Sequence, residues 1–141
     1  MQVSITVAAI DAQASTLPRI LVVDDTPAML VATRQMTKAI RVSIDEMKSG
    51  EEFLEYAQSD LAGSQYDIVI LDNNMGGMDG IEALETAKSA GFQGRVIINS
   101  ADSDPEKVER FKASADYYFP KNRMSKSTFL AAFQQLGWCL E

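Results

Sequence analysis

Three short runs of almost purely apolar residues constrain the fold of this chain more than any other feature. They occupy residues 19–24, 67–72 and 95–100, and each ends in a polar side chain. Apolar residues follow one another within each run without alternating with polar ones. This pattern is typical of a strand buried on both faces, as in a parallel sheet covered by helices. The runs therefore predict an α/β fold.

Helical patterns and two further strand candidates fill the remaining sequence. Residues 42–44 are a weaker strand candidate, and residues 115–119 are predicted to form a short strand that Pro120 ends. Between and after the strands, apolar residues recur at helical spacing. The predicted inward-facing residues, helix by helix, are Met29, Ala32, Met36 and Ala39; Phe53, Ala57 and Leu61; Ile81, Leu84 and Ala87; Val108 and Phe111; and Phe129, Ala132, Phe133 and Leu136. A β-α unit repeated five times predicts a doubly wound, five-stranded parallel sheet with helices on both faces.

The repeated pattern occupies residues 19–141, which we expect to form one domain without a second domain or an output domain after it. Residues 1–18 stand outside it and are expected to be an N-terminal extension or linker. Apolar and polar residues alternate there at Val3, Ile5 and Val7, so this segment could form a short extra edge strand or a mobile leader.

Composition excludes several classes of function. The chain has no histidine, so it cannot use one as a base, a metal ligand or a phosphoryl carrier. A formal charge of −7 argues against a nucleic-acid partner, because phosphate backbones attract clustered Lys and Arg. A single cysteine excludes an internal disulfide, and no segment resembles a membrane span or a secretory signal. We therefore expect a cytoplasmic protein.

Polar side chains follow the predicted strands at the edge where ligands bind in open α/β sheets. They are Asp24 and Asp25, Asp72, Ser100 and Lys121. Clustered carboxylates favour a cation, and Mg²⁺, with Mn²⁺ as an alternative, takes such oxygen ligands. A lysine and a hydroxyl opposite the cation suit a transferring phosphoryl group, and aspartate is a known type of nucleophile. The site is therefore predicted to transfer phosphoryl groups.

With these residues in view, the chain resembles the receiver domains of two-component response regulators. The resemblance covers about residues 19–140 and rests on four ordered blocks. They are Leu-Val-Val-Asp-Asp at 21–25, Ile-Leu-Asp-Asn-Asn-Met-Gly-Gly-Met-Asp-Gly at 70–80, Ser-Ala at 100–101, and Ala-Asp-Tyr-Tyr-Phe-Pro-Lys at 115–121. It implies a flavodoxin-like (βα)5 fold with strand order 2-1-3-4-5.

The resemblance also implies a role for each site residue. Asp72 would be the phosphoacceptor, and Ser100 and Lys121 would contact the phosphoryl group. Mg²⁺ would be bound by Asp25 and Asp72, by Asp24 largely through water, and by the backbone carbonyl of Asn74. Tyr118 would be the aromatic switch that, with Ser100, repacks the face formed by the fourth helix, fifth strand and fifth helix.

The chain departs from the family pattern around two of these residues. Asn122 follows the lysine where proline is usual, and Pro120 precedes it. We expect a trans bond between Lys121 and Asn122, because a cis bond before a non-proline residue costs about 2.5–4 kcal/mol. Pro120 is acceptable if the fifth strand is an edge strand. Gly76 replaces another usual proline, which predicts a more mobile loop beside the metal site.

By resemblance, a sensor histidine kinase or histidine phosphotransfer protein would phosphorylate Asp72, and the domain would catalyse this transfer and its own later dephosphorylation. The signal would pass to a downstream protein through the switch face; a homodimer is left open.

Two other classes of protein compete with this interpretation. A pseudo-receiver would bind partners without phosphorylation, but it usually lacks the acid pair, acceptor or lysine. A haloacid-dehalogenase-type phosphatase needs a general acid two residues after its nucleophile, where this chain has Asn74.

Overall fold

A computed structural model describes residues 17–38, 40–59 and 65–137 of the chain. Five strands and five α-helices alternate within these residues, with a short 3₁₀ turn after the last strand. Their bounds are β1 (Arg19–Val23), α1 (Pro27–Thr37), β2 (Ser43–Met47), α2 (Gly50–Ala57), β3 (Ile68–Leu71), α3 (Gly80–Ser89), β4 (Val96–Ser100), α4 (Pro105–Ser114), β5 (Tyr117–Pro120), the 3₁₀ turn (Lys121–Arg123) and α5 (Lys126–Gln135).

The strands form one parallel sheet in the order β2-β1-β3-β4-β5. This is the doubly wound, flavodoxin-like arrangement predicted from the sequence. The three apolar runs are β1, β3 and β4, the central strands, whereas the weaker candidate at 42–44 and the short one at 115–119 correspond to the edge strands β2 and β5. β5 includes Pro120 as its last residue, opposite Ser100, as an edge strand allows.

The sheet separates two core layers. On one face α2, α3 and α4 cover the sheet, and Phe53, Leu84 and Phe111 are fully buried there. On the other face α1 and α5 cover it, with Phe129 and Phe133 fully buried. Both faces of the central strands are therefore buried, which is why apolar and polar residues do not alternate in their sequences.

The inward face of α1 differs from the prediction. The buried residues are Leu30, Thr33 and Thr37, whereas the predicted Met29, Ala32 and Met36 are half-buried. Each threonine hydroxyl donates a hydrogen bond to a carbonyl one turn earlier, Thr33 to Met29 O at 2.9 Å and Thr37 to Thr33 O at 2.8 Å. Because the helix backbone satisfies the hydroxyls, the threonine methyl groups can pack as apolar groups.

The inward residues predicted for α3 and α5 are buried as expected, apart from Leu136, which is half-buried just after the end of α5. On α2 and α4, Phe53, Ala57 and Phe111 are buried, and Val108 is half-buried. Ala39, Leu61 and residues 1–16 lie outside the described residues. No helix in the described residues has the length and apolar character needed to cross a membrane.

Candidate functional site

Three carboxylates meet at the C-terminal edge of the sheet, where β1 and β3 end. Asp24 and Asp25 follow β1, and Asp72 follows β3. Each contributes one oxygen to a group in which all three oxygens lie within 4.8 Å of one another. Asp24 and Asp72 are only 5% and 3% exposed, whereas Asp25 is exposed to solvent. The inner side of the cluster is thus buried, and the side formed by Asp25 is open to water.

The ammonium group of Lys121 lies between the two buried carboxylates. Its Nζ is 2.9 Å from Asp24 Oδ2 and 3.2 Å from Asp72 Oδ1. The lysine begins the 3₁₀ turn that follows β5, and β4 separates β5 from β3 in the sheet. Its side chain therefore extends across the end of β4 to reach both acids. Every peptide bond in the described residues is trans, including Lys121–Asn122 as predicted.

Backbone N–H groups from the surrounding loops orient the carboxylates. Thr26 N donates to Asp24 Oδ1 at 2.9 Å, and Asn74 N donates to Asp72 Oδ1 at 3.3 Å. Gly76 N donates to Asp25 Oδ2 at 3.1 Å. Proline, the usual residue at position 76 in the family that the sequence resembles, has no N–H and could not make this bond. The glycine therefore gives the β3-α3 loop a direct tie to the acid pair.

Burial raises the pKa of Asp72 from its usual 3.8 to about 6. The ammonium of Lys121 opposes this rise in pKa, the negative charge of Asp24 adds to it, and the hydrogen bond from Asn74 N lowers it slightly. The rise means that one lysine does not fully offset the burial of two neighbouring acids. An additional positive charge at this edge would favour the ionised form of Asp72.

Ser100 and Tyr118 lie on the face of the sheet that α4 covers. Ser100 is fully buried at the end of β4, and its Oγ accepts a hydrogen bond from Asp102 N at 3.1 Å. Tyr118 is half-buried, and its ring packs on Phe111 of α4 with centroids 5.5 Å apart. Burial and the negative charge of Asp102 raise the pKa of Tyr118. The predicted switch pair is therefore next to α4.

Sequence reasoning missed two residues that fix the acceptor loop. Asn73 is almost fully buried, and its Oδ1 accepts a hydrogen bond from Ile81 N at 2.9 Å, while its carbonyl accepts one from Gly80 N at 3.0 Å. A Cβ atom on Gly80 would lie 2.1 Å from the carbonyl oxygen of Asp72. The start of α3 thus packs directly on the acceptor backbone. The repeated Asn-Asn and the Asp-Gly pair at 79–80 were the available signals.

The donor set fits a hard divalent cation. Mg²⁺ and Mn²⁺ prefer carboxylate, carbonyl and water oxygens, and three carboxylate oxygens converge here beside open solvent. Binding of a cation would also add positive charge to that of Lys121, which alone does not offset the burial of the two acids. The roles predicted for the Asn74 carbonyl and for water at Asp24 stay predictions.

Comparison with known proteins agrees with this geometry. The family model described as the response regulator receiver domain matches residues 20–134. Over 120 residues the chain is 32% identical to the nitrate/nitrite response regulator protein NarL of Escherichia coli K12, covering 82% of this chain and 53% of NarL. It is 35% identical to the response regulator MprA of Mycolicibacterium vanbaalenii over 104 residues, covering 73% of this chain and 43% of MprA.

The solved structure of a two component response regulator from Cytophaga hutchinsonii superposes with a TM-score of 0.73 at 23% identity, covering 86% of this chain and 98% of that one. At this identity the likeness shows the fold alone. The chain spans about half the length of the curated relatives it matches. By the matched family model and the sequence relatives together, the chain belongs to the response regulator receiver domain family of two-component signalling.

Proposed function

We propose that this domain is a phosphorylation switch in which Asp72 accepts a phosphoryl group from a phosphohistidine. The observation that supports it best is the position of the Lys121 ammonium, 2.9 Å from Asp24 and 3.2 Å from Asp72 within a cluster of three carboxylates. Asp72 is buried and has an adjacent positive charge. The exposed Asp25 marks the side of the carboxylate cluster from which a phosphoryl donor can approach.

Each residue of the site has its own role in phosphoryl transfer. Asp24, Asp25 and Asp72 would hold Mg²⁺, with the Asn74 carbonyl, and the ion would neutralise charge on the transferring group. A carboxylate oxygen of Asp72 attacks phosphorus. The bond from phosphorus to the donor imidazole breaks, and its electron pair stays on the imidazole nitrogen. Lys121 and Ser100 then hold phosphoryl oxygens through hydrogen bonds.

Hydrolysis resets the switch. A water oxygen attacks phosphorus, and the bond to the Asp72 oxygen breaks. Inorganic phosphate leaves and the carboxylate is restored. The domain supplies orientation and charge for both steps, so it catalyses its own phosphorylation and dephosphorylation with a partner protein as donor.

The phosphoryl signal would leave through the face formed by α4, β5 and α5. Ser100 and Tyr118 both lie toward α4, and Tyr118 packs on Phe111 of that helix. A shift of the Ser100 hydroxyl toward a phosphoryl oxygen would open space for the Tyr118 ring and change this surface. The donor would be a sensor histidine kinase or a histidine phosphotransfer protein. The downstream target of this domain would be another protein or a second copy of this chain.

The decisive measurement is intact mass after incubation with Mg²⁺ and acetyl phosphate. We expect one added phosphoryl group on the wild-type chain, dependent on Mg²⁺, and none on Asp72→Asn. Asp45→Asn is the matched control, because Asp45 is an exposed acid on β2 whose Oδ2 accepts a hydrogen bond from Tyr66. It should be labelled like the wild type.

Labelling that survives Asp72→Asn would overturn the acceptor assignment. A wild-type chain that gains no mass, even with rapid quenching, and that does not bind beryllofluoride, would instead favour a pseudo-receiver that works without phosphorylation.

A further inference from the structure

Asn99 is a buried polar residue on the strand between the acceptor and the lysine. The β3-β4 register pairs Leu71 with Ile98, so Asn99 stands beside Asp72 in the next row. It is 4% exposed. Ile97, two residues earlier, packs in the core layer under α1 and α5, so by strand alternation Asn99 faces the same side. Neither the apolar pattern of β4 nor the proposed reaction assigns it a role.

The amide of Asn99 is only half satisfied. Its Nδ2 donates to Met124 Sδ at 3.3 Å, a weak hydrogen bond, and its buried Oδ1 accepts none from the described residues. An unpaired buried carbonyl is destabilising, so retaining it calls for an explanation. Met124 N in turn donates to Lys121 O at 3.2 Å. The amide is thus held by the turn that carries the lysine.

The side chain of Lys121 passes over the strand that carries Asn99. From the end of β5 it reaches Asp72 after β3 and Asp24 after β1, and β4 lies between. Within the described residues, two acceptors engage an ammonium group that has three N–H donors. A cation bound by Asp24 and Asp72 would compete for both of these acceptors and would repel the ammonium. Lys121 would then need another acceptor along its path.

We propose that Asn99 is a positioning residue for Lys121, whose ammonium donates to Asn99 Oδ1 once a cation occupies the acid cluster, both before and after a phosphoryl group is bound. The inference rests on the phosphoacceptor function proposed above and deepens it. In the occupied state the ammonium keeps one hydrogen bond to the protein and directs the others toward the phosphoryl group. Asn99 thereby sets where the positive charge lies during transfer and hydrolysis.

The test compares Asn99→Leu, which has a similar volume and no acceptor, with Asn99→Asp, which keeps the oxygen. Thr37→Val is the control, since Thr37 is a buried polar residue at the far end of α1. The readouts are the ¹H–¹⁵N signal of the Lys121 ammonium with Mg²⁺ and beryllofluoride, and the rate of labelling by acetyl phosphate. We expect Asn99→Leu to shift or broaden the signal and to slow labelling roughly tenfold. Asn99→Asp and Thr37→Val should keep the signal.

A purely structural asparagine gives a different result. Asn99→Leu would then change the urea midpoint but leave the ammonium signal and labelling rate like those of Thr37→Val, and this outcome overturns the proposal. If Asn99→Leu does not fold, Asn99→Val removes the same oxygen with a smaller side chain. If the wild type is never labelled, the proposed function fails separately. The ammonium signal with Mg²⁺ alone then decides the inference: a change in Asn99→Leu supports it and no change overturns it.

Discussion

Asp72 places a carboxylate where water is largely excluded. The positive charge of Lys121 only partly offsets the free-energy cost of burying that charged group. The Asp72 pKa of about 6 lies above the 3.8 of an ordinary aspartate. A folded protein that binds a proton more tightly than its unfolded chain is most stable below the unfolded pKa. The contribution from Asp72 is therefore fully present below about pH 4 and is lost as pH rises through about 6.

Asp72→Asn should remove this pH dependence in the metal-free protein. Asparagine does not titrate, so the variant and the wild type should have similar unfolding free energies near pH 4. Above pH 6 the variant should be more stable, by on the order of 2 kcal/mol. Urea unfolding across pH 4–8 with a chelator present measures the difference. Parallel curves for the two proteins would show that Asp72 has an ordinary pKa in the folded state.

Lys121→Met should leave two buried carboxylates without their ammonium. Removing one partner of a buried ion pair is strongly destabilising, and we expect a loss on the order of 3 kcal/mol at pH 7.5 without metal. Mg²⁺ should restore part of it by replacing the missing positive charge. Lys107→Met is the control, because Lys107 forms an exposed pair with Asp102 and should change stability little. Equal effects of the two substitutions on the urea midpoint would contradict this account.

Among the elements, α3 is the helix most directly tied to the acceptor. Its first residue, Gly80, lies against the Asp72 carbonyl, and Asn73 binds the N–H groups of Gly80 and Ile81. The helix therefore begins on the backbone of the residue that we propose is phosphorylated. Any displacement of α3 should move the acceptor with it.

Gly80→Ala should therefore damage both stability and the site. The added Cβ would lie 2.1 Å from Asp72 O, so the backbone must shift. We expect a loss of about 1–3 kcal/mol and slower labelling of Asp72. Gly76→Ala is the matched control, because its Cβ would meet no atom of residues 17–38, 40–59 or 65–137 within 4 Å and its φ is not positive. Thermal unfolding and intact mass measure both effects, and equal behaviour of the two alanine variants would contradict the close approach.

The start of α2 allows stability and chemistry to be separated. Ser49 Oγ accepts a hydrogen bond from Glu52 N at 3.0 Å, and the Glu52 side chain accepts one from Lys48 N at 3.0 Å, an arrangement close to a capping box. Ser49→Ala should lower the unfolding free energy by about 1 kcal/mol. The labelling rate of the folded protein should not change. A large loss of labelling would mean that α2 controls the site more directly than these bonds indicate.

At the scale of the molecule, the sequence predicted the sheet and the acid cluster because both depend on patterns along the chain. Continuous apolar runs distinguished the three central strands, and polar residues at their ends marked the site. The inward face of α1 was predicted wrongly, because Thr33 and Thr37 look polar until their hydroxyls are seen to bond the helix. The hydrogen bond from Gly76 to Asp25 and the unpaired amide oxygen of Asn99 depend on tertiary structure that no local pattern reveals.

Mg²⁺ should stabilise the whole domain, since a ligand that binds only the folded state shifts the unfolding equilibrium. At about one hundred times its dissociation constant the gain is about 2.7 kcal/mol. The melting temperature should rise with MgCl₂ at constant ionic strength, and a chelator should reverse the rise. Asp25→Asn should remove most of it, because Asp25 belongs to the carboxylate cluster. A melting temperature independent of MgCl₂ would argue against the cation site.

The close approach of Gly80 to Asp72 also limits how this domain can evolve. Position 80 makes no proposed contact with a cation or a phosphoryl group, yet every residue with a Cβ atom collides there with the acceptor backbone. In a library of variants selected for a working phosphorylation switch, glycine at position 80 should be retained almost as strictly as aspartate at position 72. Selection for the chemistry of one residue would thus preserve another that takes no part in it.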